Sequence, residues 1–168
     1  MLKKDNLKIC IIGMPGSGKS TVGKMLSEKL NYVFFDTDKE IENLTKLKIK
    51  DIFKKEGETN FRKIETEVLK KLININKIVI STGGGLILNN QKILKKTFNI
   101  YLNCELEVLV NRAKRNKNRP LLLNDVEKKM KDLFNQRKDI YNKTADIKID
   151  AENNLQKTII KILKKLPS

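Results

Sequence analysis

Lys8-Ile9-Cys10-Ile11-Ile12-Gly13-Met14-Pro15-Gly16-Ser17-Gly18-Lys19-Ser20 joins a short apolar run directly to a glycine-rich octapeptide of the pattern Gly-x-x-x-x-Gly-Lys-Ser. The apolar run reads as a buried strand, and a helix is expected after it to about Leu30, which leaves the glycines in the turn between the two. That context is what a phosphate-binding loop requires. Its backbone N–H groups curl inward into an anion nest at a helix N-terminus, Lys19 reaches the β- and γ-phosphates, and the Ser20 hydroxyl can ligate Mg²⁺. The loop therefore predicts ATP or GTP held by Gly16, Ser17, Gly18, Lys19, Ser20 and Thr21, with one Mg²⁺ as cofactor and Lys19 in a catalytic role.

Outward from this loop, short apolar runs alternate with helix-period segments. Strands are expected at Tyr32 to Phe35, Lys77 to Ile80, Phe98 to Leu102 and Ile147 to Ile149. Helices are expected at about Lys39 to Glu56 with a break, Thr59 to Ile73, Asn90 to Lys96, Glu105 to about Ala113, Asp125 to Tyr141, and from Asn153 onward. The stretch from Lys114 to Asn124 is polar, basic and interrupted by Pro120, and reads as a loop. Strands alternating with helices predict an α/β fold, a parallel sheet covered on both faces.

The 168 residues are one domain's worth of chain, long enough to bury a core without metal or disulfides. There is no His, which excludes His-based triads and the common zinc sites. Cys10 and Cys104 are far apart and read as reduced core thiols of a cytoplasmic protein. The apolar run after the basic start is too short for a secretory leader, and no segment approaches a membrane span.

With 36 Lys and Arg against 20 Asp and Glu, the formal charge is +16. The positive charge is spread along the chain, in runs no longer than pairs such as Lys54-Lys55, so it reads as a solvated coat and not as a nucleic-acid face. Only five of the cations are Arg: Arg62, Arg112, Arg115, Arg119 and Arg137. Where Lys is the default, an Arg can mark a place that needs a planar fork for phosphate or carboxylate.

The base-reading Asn-Lys-x-Asp of a GTPase is absent, and a motor ATPase would normally be larger. Phosphoryl transfer to a small molecule is then the favoured class. On the acceptor side, Asp36-Thr37-Asp38 ends the second expected strand, at the sheet edge where open parallel sheets place their ligands. In an extended segment two such carboxylates point the same way, one to orient Mg²⁺ and the other to accept a hydroxyl proton. Arg62 and Glu65 fall on one helical face, either as an ordinary surface ion pair or as a guanidinium anchored toward an anion. Gly83, Gly84 and Gly85 follow the third strand and suggest close approach of a substrate. Arg119, in the presumed loop, could close on the transferring phosphoryl, and Arg137 could be a second anion anchor.

Taken in order, Gly-x-x-Gly-Ser-Gly-Lys-Ser, Asp-x-Asp, Phe-Arg-x-x-Glu, Gly-Gly-Gly, Arg-Pro-Leu-Leu and Arg-x-x-x-Tyr make the chain resemble shikimate kinase over essentially its whole length. The resemblance implies a single P-loop kinase domain, 1–168, of nucleoside-monophosphate-kinase-like three-layer fold with strand order 2-3-1-4-5. It also implies a substrate-binding segment at about 36–62 and a lid at about 114–124. The implied reaction is ATP-dependent phosphorylation of the shikimate 3-hydroxyl on the chorismate route, by a cytoplasmic monomer with neither nucleic acid nor membrane as partner.

By motif position, Asp38 would bind the shikimate hydroxyls and act as base, and Asp36 would assist Mg²⁺ beside Ser20. Arg62 and Arg137 would hold the shikimate carboxylate, with Gly83, Gly84 and Gly85 nearby. Arg119 would be the catalytic lid arginine on the phosphates, Arg112 would lie against adenine, and Asn154 stands where the family makes a further adenine contact, often through a longer side chain. Four of the five arginines fall on motif positions. The strand aspartate of a conventional Walker B motif is missing before Gly83, which leaves Ser81, Thr82 and Asp36 to complete the metal shell.

Overall fold

The computed structural model describes residues 7–115, 125–151 and 154–167. Five strands, β1 (Lys8–Ile12), β2 (Val33–Asp36), β3 (Ile78–Ser81), β4 (Phe98–Asn103) and β5 (Ile147–Asp150), pair in parallel in the order β2-β3-β1-β4-β5. This is the order implied by the family resemblance. The helices are α1 (Lys19–Leu30), α2 (Thr37–Thr45), α3 (Ile49–Leu72), α4 (Ile87–Leu94), α5 (Leu106–Arg115), α6 (Val126–Thr144) and α7 (Leu155–Lys165).

Every central strand is apolar on both sides because both faces of the sheet are covered. Ile9 and Ile11 of β1, Val79 of β3 and Ile100 and Leu102 of β4 pack into one buried layer with Val22 and Leu26 of α1 and Ile159 and Ile162 of α7. The alternate residues Cys10, Ile12, Ile78, Ile80 and Tyr101 point the other way, into a layer with Ile52, Phe61 and Leu69 of α3, Leu94 of α4 and Tyr141 of α6. Cys10 and Cys104 are both buried and not disulfide-linked, and burial pushes the Cys10 thiol up to about 12, so it stays an inert core thiol. Among the described residues no helix is long and apolar enough to cross a membrane.

Strand order reverses at β1, whose carboxyl end therefore opens on a crevice between connections that leave in opposite directions. The expected breaks in the helical stretch after β2 are two. Lys46 ends α2 in a left-handed conformation, and Gly57 interrupts α3 at φ 77°, ψ 169°, a region open essentially to glycine alone. The expected helix from Asn90 instead starts at Ile87, because the apolar Leu86 and Ile87 are fully buried and pull the first turn forward. At the other end, α5 runs on to Arg115, two residues into the stretch expected to be a loop.

Candidate active site

A cleft of about 1350 Å³ lies along the carboxyl end of the sheet. Its floor is the glycine loop between β1 and α1. Gly16 and Gly18 carry positive φ, and α1 begins on Gly18 with no side-chain cap, so its first turn is left to backbone donors. Gly16, Ser17, Gly18, Lys19, Ser20 and Thr21 all line the cleft. Lys19 is drawn back along the loop, its Nζ donating to the carbonyl oxygens of Gly13 at 2.9 Å and Met14 at 2.8 Å. Arg112 on α5 reaches the same loop from the other side, donating to the Gly16 carbonyl at 2.9 Å.

Register then sets a cluster of hard oxygen donors beside the loop. Asp36 of β2 is paired with Ser81 of β3, and Ser81 with Ile11 of β1, which brings both side chains against Ser20. The Ser20 hydroxyl donates to Asp36 Oδ2 at 2.5 Å and lies 3.2 Å from the Ser81 hydroxyl. Thr82 is turned away, its Oγ1 donating to the Ile11 carbonyl at 3.0 Å.

The two aspartates do not alternate along an extended segment. Asp36 is the last residue of β2 and the N-cap of α2, accepting from the N–H groups of Asp38 at 3.1 Å and Lys39 at 3.4 Å. Asp is among the best N-caps, so the helix starts at Thr37 and Asp38 falls in its first turn. Oδ2 of Asp36 is thereby left for Ser20, while Asp38 turns toward the glycine run after β3. A feature with no sequence signal holds this junction together: the buried Thr37 hydroxyl accepts the Gly83 N–H at 2.9 Å.

The Gly83-Gly84-Gly85 run owes its composition to crowding. A Cβ on Gly83 would stand 2.7 Å from Asp38 Oδ1 and 3.0 Å from Glu65 Oε1, one on Gly84 would meet the Pro15 ring at 2.7 Å, and one on Gly85 would collide with the Arg62 guanidinium. Arg62 is held from two sides, by Glu65 Oε2 at 2.5 Å and by Glu58 Oε1 at 3.0 Å, and lies 5.3 Å from the Phe61 ring centroid. Glu58 is a second carboxylate that the spacing of Arg62 and Glu65 alone does not single out, although it sits at a regular i,i+4 position.

Glu65 is 1% exposed. Burial pushes its carboxyl up to about 7, with Asp38 adding to the effect and Arg62 and Arg137 opposing it. Arg62 itself is raised: burial works against its charge, but Glu65 and Glu58 outweigh it. Arg137 of α6 is buried on the same cleft, and its Nε has no hydrogen-bond partner among the described residues. An apolar wall of Ile49, Phe53, Phe61, Met130 and Leu133 completes this end, with Phe53 and Phe61 in ring contact at 4.4 Å. Glu42 fixes the start of that wall, accepting the Ile49 N–H at 3.1 Å and pairing with Lys48 at 2.8 Å.

At the opposite end, Ala151, Leu155 and Thr158 form the wall beyond Arg112. Asn154 caps α7 there, its Oδ1 accepting the Lys157 N–H at 3.2 Å. Arg119 and the greater part of the expected lid, residues 116–124, lie outside the described residues.

A glycine phosphate loop at the switch point of a 2-3-1-4-5 sheet, facing an arginine-lined pocket for a second substrate, defines a P-loop kinase of small molecules. The shikimate kinase family model matches residues 15–167. A shikimate kinase of Sulfurihydrogenibium sp. is 43% identical over 155 residues, 90% of this chain and 92% of that one. Among solved structures, the shikimate kinase from Acinetobacter baumannii in complex with shikimate superposes with a TM-score of 0.90 at 37% identity, covering 97% of each chain. The chain belongs to the shikimate kinase family. A gluconokinase from Sinorhizobium meliloti, at 16% identity and a TM-score of 0.55 over 95% of this chain and 90% of its own, shares the fold alone.

Proposed function

We propose that the chain transfers the γ-phosphoryl group of ATP to the 3-hydroxyl of shikimate, giving shikimate 3-phosphate and ADP on the chorismate route. The observation that carries this reading is the convergence of Arg62, Arg137 and Asp38 around Glu65 and the glycine run, on the same cleft as the phosphate loop. Two guanidiniums suit a carboxylate, an aspartate beside them suits ring hydroxyls, and the apolar wall suits a carbocycle.

In this reading Arg62 and Arg137 hold the shikimate carboxylate and Asp38 takes the hydroxyl proton. The freed oxygen attacks the γ-phosphorus, the bond to the bridging oxygen breaks, and ADP leaves. Lys19 leaves its loop carbonyls for the phosphates, and Arg119 neutralises the transferring group from the lid, residues 114–124. The segment 36–62 acts as the substrate-binding segment, and Arg112 and Asn154 serve the adenine end.

The Ser20, Asp36 and Ser81 oxygens are all hard donors, as Mg²⁺ requires, and among the described residues no cluster of three His, Cys, Asp or Glu side chains competes for a softer metal. One Mg²⁺ bound there with ATP supplies positive charge to the phosphate oxygens. The same reading makes the protein a cytoplasmic monomer whose partners are ATP and shikimate, with no nucleic acid or membrane.

The test is coupled ADP release with Mg-ATP, with and without shikimate, for wild type and Asp38→Asn. Shikimate-dependent release that collapses in Asp38→Asn is the expected result. A faster rate on gluconate or AMP than on shikimate would overturn the reading.

A further inference from the structure

Tyr141 is 1% exposed, and its ring stacks on Tyr101 of β4 with centroids 5.2 Å apart. Packing of that kind asks only for an aromatic ring; the hydroxyl needs a separate reason. It donates its single proton to the Gly84 carbonyl at 2.5 Å. The Arg137 guanidinium, one turn earlier on α6, lies close enough to this hydroxyl to act on it. The proton being committed to Gly84, the hydroxyl oxygen is left to act toward a guanidinium N–H only as an acceptor. Burial keeps the phenol well above its ordinary range, with Arg137 opposing, so the group stays a neutral hydroxyl with both functions available.

One oxygen thus stands between two groups that face the acceptor. On one side is the buried arginine whose Nε has no partner among the described residues; on the other is the glycine turn that abuts Pro15 of the phosphate loop. We infer that the Tyr141 hydroxyl is a positioning residue for the acceptor's carboxylate, aiming Arg137 and fixing its distance from the glycine turn. This rests on the acceptor-site reading above. Tyr141 itself touches neither the reacting hydroxyl nor the phosphates in this scheme; it acts through Arg137.

The test is Tyr141→Phe, which keeps the stacked ring and removes only the oxygen. Steady-state constants are measured for shikimate, for ATP and for shikimate methyl ester, whose carboxylate is masked. The expected result is a rise of about tenfold in the shikimate KM, with the ATP KM and the methyl-ester KM each within twofold of wild type. In an Arg137→Ala background the same substitution is expected to add nothing. An unchanged shikimate KM, an equal rise for shikimate and its ester, or an undiminished effect in the Arg137→Ala background would overturn the inference.

Should Tyr141→Phe not fold, 3-fluorotyrosine at position 141 retains the hydroxyl but weakens it as an acceptor from Arg137. The shikimate KM should then shift by at least twofold with the ATP KM fixed, and no shift overturns the inference. Wild-type protein without shikimate-dependent ADP release would instead overturn the functional reading and this inference with it. Wild-type activity with an insensitive variant overturns this inference alone.

Discussion

Arg62 and Glu65 stand one helical turn apart on α3 and are joined by an ion pair of 2.5 Å, with Glu65 almost wholly removed from solvent. A pair at this spacing on an exposed face contributes little, because water screens it. Here burial reverses the argument: removing either partner would leave the other's charge in a poorly solvated site. The pair is also not closed, since Glu58, Asp38 and Arg137 all act on it. It is the anchor on which the proposed acceptor site is built, and its titration should be visible in stability.

The Glu65 carboxyl sits near 7 in the folded chain against an ordinary value of 4.5, so between those values the native state binds more protons than the unfolded one. Stability from this group is present in full below the ordinary value and is lost as pH rises through about 7. The unfolding free energy of wild type relative to Glu65→Gln should therefore fall between pH 5 and pH 8, by an amount on the order of 3 kcal/mol. Urea denaturation of both proteins at several pH values checks this, and a difference that is flat or rises with pH contradicts it.

Arg62→Lys should raise the shikimate KM by roughly tenfold to a hundredfold while leaving the ATP KM close to wild type. An ammonium cannot hold Glu58 and Glu65 and still present a planar pair of donors to a carboxylate, and each charge-assisted bond lost is worth about 1.5–3 kcal/mol. The corresponding measurement is a full kinetic matrix in both substrates. An unchanged shikimate KM would remove Arg62 from the acceptor site.

Much of this architecture is legible in the chain before any coordinates. The strand-loop-helix start is local, since a four-residue apolar run, a glycine loop and a helical period adjoin one another. The doubled layer follows from central strands that carry apolar residues on both faces. What spacing does not carry is contact between distant segments. The Thr37 hydroxyl on Gly83, the Tyr141 hydroxyl on Gly84 and the seating of Asp38 against Glu65 join α2, α3 and α6 to one turn. None of these contacts leaves a periodic trace. The extended geometry expected of Asp36-Thr37-Asp38 fails for a related reason. Period two holds only while the strand lasts, and Asp36 ends the strand by capping the next helix.

That dual use of Asp36 separates its two roles experimentally. Asn is as good an N-cap as Asp, so Asp36→Asn keeps Oδ1 on the N–H groups of Asp38 and Lys39, and the thermal midpoint should hardly move. The charge beside Ser20 is lost, and the Mg²⁺ concentration for half-maximal activity should rise about tenfold. Titrating Mg²⁺ at fixed ATP makes the comparison, and an unchanged requirement would take Asp36 out of the metal shell.

The glycine run offers a sharper separation, because adjacent Cβ atoms would strike different machinery. On Gly85 the new methyl meets the Arg62 guanidinium, which must shift against its pairing with Glu65 and Glu58, so Gly85→Ala should lose acceptor affinity with little change at ATP. On Gly84 it meets the Pro15 ring at 2.7 Å and the Pro15 backbone nitrogen at 3.2 Å, neither of which can yield without moving the phosphate loop. Gly84→Ala should therefore raise the ATP KM and lower the thermal midpoint, with an overpacking cost of about 1–3 kcal/mol. Kinetics and melting of the two variants side by side decide it. If both alter only the shikimate KM, the glycine turn does not touch the phosphate loop in solution, and the contact between Gly84 and Pro15 is not what sets the spacing of the two substrates.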